Sequence, residues 1–218
     1  TNETPAAIGH PLGNQLYHLG LFFFSELTPV TGLPPIDLGN DLRDWFPDGN
    51  RSVSRPLGRS PTALAFCFKA GVNAGGHEHL DNGSYVVACG GGTPLLDPGM
   101  DMYVKDTFGP KRYESQILNS YGHPVPYPAK TLQFHGREAK APVTSIVTNN
   151  AEDVLTLDLK GSYDVPSLLS LTRTFRYKRS GSNAILAVED AFRFSTPEEF
   201  GTALITRSPH TELAPNTW

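Results

Sequence analysis

After residue 40 the chain is written in twos. Leu64, Phe66 and Phe68 alternate with Ala65 and Cys67, and Leu171, Phe175 and Tyr177 alternate with Thr172, Thr174, Arg176 and Lys178. Arg173 is the one charged residue on the apolar side of that second run. Period-two alternation is the signature of a half-buried strand. It predicts strands at 53–55, 63–69, 85–89, 143–148, 154–159, 169–177, 184–194 and 200–206, with a hairpin turn at Ser180-Gly-Ser-Asn183. Helical spacing is convincing once, at Leu16, Leu19, Phe23 and Leu27, where Asn14 can cap the start and Pro29 follows the end. The expected fold is all-β: a large antiparallel β-sandwich over 41–218, preceded by a short helical and linker segment over 1–40. Its core is expected to hold Leu64, Phe66, Phe68, Val86, Val87, Leu95, Ile146, Leu155, Leu157, Phe175, Leu186, Val188 and Ile205.

Composition agrees. Among 218 residues there are 21 Gly and 19 Pro, and 18% are charged, a balance that favours turns and strands over helices. A net charge of −4 gives no reason to expect nucleic acid or an anionic membrane as partner. No apolar run approaches the roughly 20 residues of a spanning helix. The opening Thr1-Asn-Glu-Thr-Pro5 reads as an internal point of a longer protein. Cys67 and Cys89 lie in strand-like runs, as buried free thiols or as a disulfide between neighbouring strands.

The stretch that carries chemistry is 69–99. His77 and His79 stand one residue apart in a Gly- and Asn-rich loop. The run Tyr85 to Cys89, a triple-glycine turn and a second run ending at Asp97 then read as a hairpin whose return strand brings a carboxylate back to the imidazoles. Two histidines and a carboxylate suit a divalent metal. Asp97 has a structural alternative, because Asp97-Pro98-Gly99 is a strong turn sequence. Glu78 reads most simply as a solvated carboxylate. The irregular region 99–142 holds Tyr103, Arg112, Tyr113, Ser115, His123 and His135, and Arg112 and Tyr113 can equally well cap a sheet edge.

Taken together, Lys69-Ala-Gly-Val-Asn73, His77-Glu-His79-Leu-Asp-Asn-Gly-Ser-Tyr85, Leu96-Asp97-Pro-Gly99, Tyr103, Arg112-Tyr113-Glu-Ser115 and Asn119-Ser-Tyr-Gly122-His123 resemble the C-terminal β-sandwich region of the heparinase II/III-like polysaccharide lyases. Trp45-Phe46-Pro47-Asp48-Gly49 and Val53-Ser-Arg55 resemble that family's lead-in strands, so the resemblance covers residues 44–128. It departs at His123-Pro124, where the family pattern is His-Asn.

The resemblance implies an enzyme that cleaves acidic, uronate-bearing polysaccharide by β-elimination, in a cleft between an N-terminal α-helical toroid and this sandwich. It implies one zinc ion held by His79, Asp97 and His123, read here as a structural clamp, with His77 as the catalytic residue facing substrate. Arg112 and Tyr113 are the expected substrate-binding pair. Residues 1–40 are then the last connection to the toroid, and the isolated chain is expected to be inactive. A periplasmic or secreted location is the corresponding expectation. Two rivals stand beside this reading. A jelly-roll non-haem iron oxygenase would use Asp81 as ligand and leave Asp97 as a turn. A non-catalytic carbohydrate-binding or packing module would need an aromatic platform from Tyr103, Tyr113, Tyr121 and Tyr127.

Overall fold

The structure is a computed structural model and describes residues 42–57, 63–180, 183–207, 209 and 211. The helix expected at 14–27 and the 1–40 segment lie outside these residues.

Among the described residues the chain is strands and turns. In order they are β1 Arg43–Phe46, β2 Arg51–Ser54, β3 Ala65–Lys69, β4 Gly71–Val72, β5 Tyr85–Cys89, β6 Gly92–Leu95, β7 Pro126–Pro128, β8 Lys140–Ala141, β9 Val143–Thr148, β10 Glu152–Asp158, β11 Leu168–Ser180, β12 Asn183–Phe194 and β13 Phe200–Thr202. The helical elements are three 3-10 turns, at Arg112–Glu114, Ser120–Gly122 and Lys160–Ser162. A five-stranded sheet runs β1-β2-β3-β5-β6 and a four-stranded one β12-β11-β10-β9. Two short pairs, β13-β7 and β4-β8, complete the fold, and every pairing is antiparallel.

Alternation puts Phe66 and Phe68 of β3 and Tyr85 and Val87 of β5 on the inner face of the first sheet. They meet Leu155 and Leu157 of β10 and Leu171, Phe175 and Tyr177 of β11 in one core. The Phe175 ring is its centre, 5.2 Å from Phe68, 5.5 Å from Tyr85 and 5.6 Å from Phe66. Leu64, Leu95, Leu186 and Val188 pack against this core while only partly buried. Three expected core residues differ. Ile146 is 41% exposed, because β9 is the edge strand of its sheet. Val86 is buried on the opposite face of β5, beneath the site loops. Ile205 lies past the end of β13, which stops at Thr202, and is half-buried outside the main core.

The inward face of β11 also carries two arginines. Arg173 is 1% exposed, and all five of its N–H groups are used. Its Nε and Nη2 each donate to the Asp190 carboxylate at 2.7 Å, Nη2 also to Thr202 Oγ1 at 2.7 Å, and Nη1 to the carbonyls of Gly83 at 2.9 Å and Pro124 at 2.8 Å. Arg179 donates to the wholly buried Asp153, which also accepts from Arg43 Nε at 2.8 Å and Ser54 Oγ at 2.8 Å. One end of the sandwich is therefore sewn from β1 and β2 across to β10 and β11. Cys67 and Cys89 form no disulfide and are half-buried where a buried thiol was expected, and Cys67 lies on the outer face of β3.

Two predictions follow from the packing. Phe66→Ala removes a ring held between Phe175 and Tyr177. It is expected to cost about 3–5 kcal/mol in denaturant unfolding. Arg173→Met leaves the Asp190 carboxylate without its guanidinium and is expected to cost about 3–5 kcal/mol. Adding Asp190→Leu should return much of that loss, as a double-mutant cycle would measure.

Candidate active site and metal centre

Residues directly opposite one another on paired strands share a face. Phe46, Arg51 and Lys69 therefore form one row across β1, β2 and β3, and Asp44, Val53, Cys67 and Val86 form a second. Both rows lie on the side of the sheet away from the core. All but Asp44 floor a cleft of about 820 Å³, walled by His77, Glu78, His79 and Asp81 on one loop, Asp97, Met100, Asp101 and Tyr103 on another, and Arg112 and Leu118.

The first loop is fixed from below. Gln133, 3% exposed, accepts from Asn73 Nδ2 at 2.8 Å and Asn82 N at 3.0 Å, and donates to Asn82 O at 2.8 Å. Gly83 follows in a left-handed conformation, φ +86°, where a Cβ would stand 2.9 Å from Leu159 Cδ1, so only glycine fits. Between the histidines, the Glu78 carbonyl accepts from Arg112 Nη2 at 3.2 Å and Tyr113 Oη at 3.1 Å. The peptide joining His77 to His79 is thus held at its midpoint. His77 is exposed, with its ring edge-on to Phe108 at 5.0 Å. The ring of His79 is 5.3 Å from that of His123.

The second loop starts from the hairpin. Gly90 and Gly91, φ +60° and +78°, form the turn that lets β6 return. Asp97 follows, and its two oxygens have separate tasks. Oδ1 accepts from Gly99 N at 3.1 Å and makes the expected turn, while Oδ2 meets His123 Nδ1 at 2.7 Å. His123 is fully buried, and its Nε2 has no partner among the described residues. Ligand atoms of His79, Asp81 and His123 lie within 4.8 Å of one another.

Charge is tightly matched here. Lys69 is clamped by Asp81 and Glu78. Burial would lower its pKa, but the two carboxylates outweigh burial and raise it. Glu78 responds in the opposite sense: burial would raise its pKa, and Lys69 lowers it. Burial disfavours imidazolium at His123, yet the Asp97 charge and hydrogen bond prevail and the pKa is raised. Asp97 is correspondingly lowered against the effect of burial. His79 is lowered, first by burial and then by His123. Burial, then Asp97, pushes the Cys67 thiol up to about 12, which leaves it a poor nucleophile.

The fold brings His79 and Asp97 to His123, and places His77 on the wall of the same cleft with its ring against Phe108. It uses Arg112 and Tyr113 to support the histidine loop: Arg112 is buried, with Nη1 on Thr107 O at 2.8 Å and its guanidinium beside the Phe108 and Tyr113 rings. Glu78 turns inward to Lys69 instead of standing in solvent. Lys69 and Asp81 were not singled out from sequence for the principal site. A lone lysine among apolar neighbours in a strand was the available signal.

No protein-family model matches the sequence, and no match is found among curated proteins. Solved structures do match. Heparan sulfate lyase HepC from Pedobacter heparinus aligns with a TM-score of 0.58 and 19% identity over 75% of this chain, and heparinase III with a TM-score of 0.54 and 14% identity over 74%. The chain spans 24% of the length of each. At that identity the likeness concerns backbone architecture, and in that respect this chain has a heparinase-like, polysaccharide-lyase-like β-sandwich fold.

Proposed function

We propose that this chain is the sandwich part of a polysaccharide lyase that cleaves uronic-acid-containing polymer by β-elimination. The observation that carries the reading is the placement of His77. It stands exposed at the wall of a large cleft, on a peptide fixed by Arg112 and Tyr113, two residues before His79, whose ring lies 5.3 Å from that of His123. The likeness to HepC and heparinase III supports the same reading. In the elimination, a base takes the proton alpha to the uronate carboxylate. That electron pair forms a carbon–carbon double bond, the glycosidic carbon–oxygen bond breaks, and the leaving oxygen takes up a proton. An imidazole can accept or deliver protons near neutral pH, and His77 is assigned that part. On this reading a helical toroid outside the 218 residues supplies the opposite wall, and the protein works in the periplasm or outside the cell.

The residues gathered around His123 suit a divalent cation. Two imidazoles and a carboxylate are zinc donors, and the buried, unpartnered Nε2 of His123 is a ligand atom that nothing else engages. His79 and His123 are the proposed imidazole ligands. For the carboxylate, the sequence resemblance favours Asp97, and Lys69 already occupies Asp81. The gathering of Asp81 with both histidines favours Asp81, with Asp97 then orienting His123 through Nδ1. When bound, zinc supplies a fixed charge that clamps the histidine loop to the hairpin.

Three outcomes are expected. Protein purified without chelators should carry close to one zinc per chain by elemental analysis. His79→Ala and His123→Ala should each release it and lower the melting temperature. Zinc retained in both variants would remove the site. Asp97→Asn and Asp81→Asn assayed side by side identify the carboxylate ligand. His77→Ala in the full-length protein should cut elimination about 10²–10⁴-fold while zinc content holds, read as ultraviolet absorbance of the unsaturated product. The 218-residue chain alone should give no absorbance growth. Unchanged turnover in His77→Ala would end the catalytic assignment.

A further inference from the structure

A fixed backbone does not fix a ring. An exposed histidine keeps two side-chain torsions, and the second of them is broad. Among the described residues no hydrogen bond holds the His77 ring. What meets it is Phe108, edge-on, with the centroids 5.0 Å apart and the planes at 66°. Crossed rings attract because the positive rim of one faces the negative face of the other.

Phe108 is 55% exposed, so burial does not account for its position. The chain around it is nevertheless tied down. Thr107, 4% exposed, donates its N–H to Val104 O at 3.0 Å, and its Oγ1 accepts from Val104 N at 2.6 Å. Arg112 then joins this turn to the histidine loop. Its Nη1 donates to Thr107 O at 2.8 Å and its Nη2 to Glu78 O at 3.2 Å. One planar guanidinium therefore spans the residue before Phe108 and the residue after His77, and sets their separation with a rigid fork. The same guanidinium lies over the Phe108 ring at 5.3 Å, and Tyr103 meets that ring edge-on at 5.2 Å. His77, Tyr103 and Arg112 line the cleft, whereas Phe108 is not among its lining residues. Phe108 is placed to hold the imidazole and not to meet a ligand.

We propose that Phe108 is a positioning residue for His77, a ring that fixes the orientation of the imidazole at the cleft wall. Its bearing on turnover rests on the lyase reading above; the ring geometry does not. Arg112 and Tyr113 set where the His77 backbone lies, and Phe108 sets where its ring nitrogens lie. A displacement of about 1 Å is enough to cost a proton transfer up to about a hundredfold.

The test uses the full-length protein and the unsaturated product. Phe108→Ala should lower kcat about ten- to a hundredfold and keep KM within about twofold of native. Phe108→Tyr, which keeps the ring face, should stay near native, and Phe108→Leu, apolar but without a ring, should fall between. On the residual turnover of His77→Ala, adding Phe108→Ala should have no further effect, because the lost support then supports nothing. Melting temperatures serve as the folding control, and Phe108→Leu carries the comparison should Phe108→Ala unfold. Native kcat in Phe108→Ala, a loss carried by KM, or an equal loss in the His77→Ala background would each overturn the assignment. A native protein that forms no unsaturated product removes the lyase reading, and the ring is then read directly by nuclear magnetic resonance with carbon-13-labelled histidine. The His77 Cε1–H signal, identified by its absence from His77→Ala, should move in Phe108→Ala towards the position of histidine in an unfolded chain and hold in Phe108→Tyr. A signal unmoved in Phe108→Ala would overturn the positioning role whatever the reaction.

Discussion

A guanidinium sealed inside the sandwich joins the parts of the site that come from distant stretches of sequence. Arg173 leaves no donor unused, and its partners lie on four different segments: Asp190 on β12, Thr202 at the end of β13, Gly83 just beyond the histidine loop, and Pro124 next to His123. Removing an arginine from water costs several kcal/mol, and only near-complete hydrogen bonding offsets it. The arrangement therefore tolerates little slack. Gly83 and Pro124 must both be in place for the charge to be satisfied, and their places in turn fix where His79 and His123 can be. The spacing of the two imidazoles is set from the core side.

From the solvent side the same loop is held by different means. Lys69 rises from β3 to grip Glu78 and Asp81, and Arg112 and Tyr113 converge on the carbonyl between the histidines. Asp97 ties a turn and a ring with one carboxylate. Each element uses a charged or polar group against a strand or a buried ring, so a segment without secondary structure of its own is positioned nearly as firmly as a strand. That firmness is what a site of imidazoles needs, because a proton transfer depends on reach before it depends on acidity.

Much of this could be read from the sequence, and the parts that could not have identifiable causes. Strands β10, β11 and β12 follow the period-two pattern to within a few residues because each has one face on the core. β7 carries prolines at both ends and no alternation, so it was missed; it survives as half of a short two-stranded pair. Arg173 broke the pattern of β11, and the pattern was right: the residue does face inward. Sequence reading offered Asp97 as either a turn former or a ligand-side carboxylate, and the two oxygens allow it to make the turn and meet His123 together. Glu78 was misjudged because it lies in a loop and its partner, Lys69, on strand β3, a contact that local spacing does not reveal. Arg112 and Tyr113 were read either as a substrate-binding pair or as structural caps; their hydrogen bonds go to backbone, and Arg112 also lines the cleft.

The tip of the β5–β6 hairpin contrasts with all of this. At Gly90 and Gly91 nothing lies within 4 Å of where a Cβ would be, and the turn contributes no side chain to either sheet or cleft. It is a seam at which the chain can be lengthened without disturbing the imidazole cluster. A short peptide epitope or a reporter group spliced there would ride on the strand pair that leads to Asp97, while staying outside the residues that line the cleft.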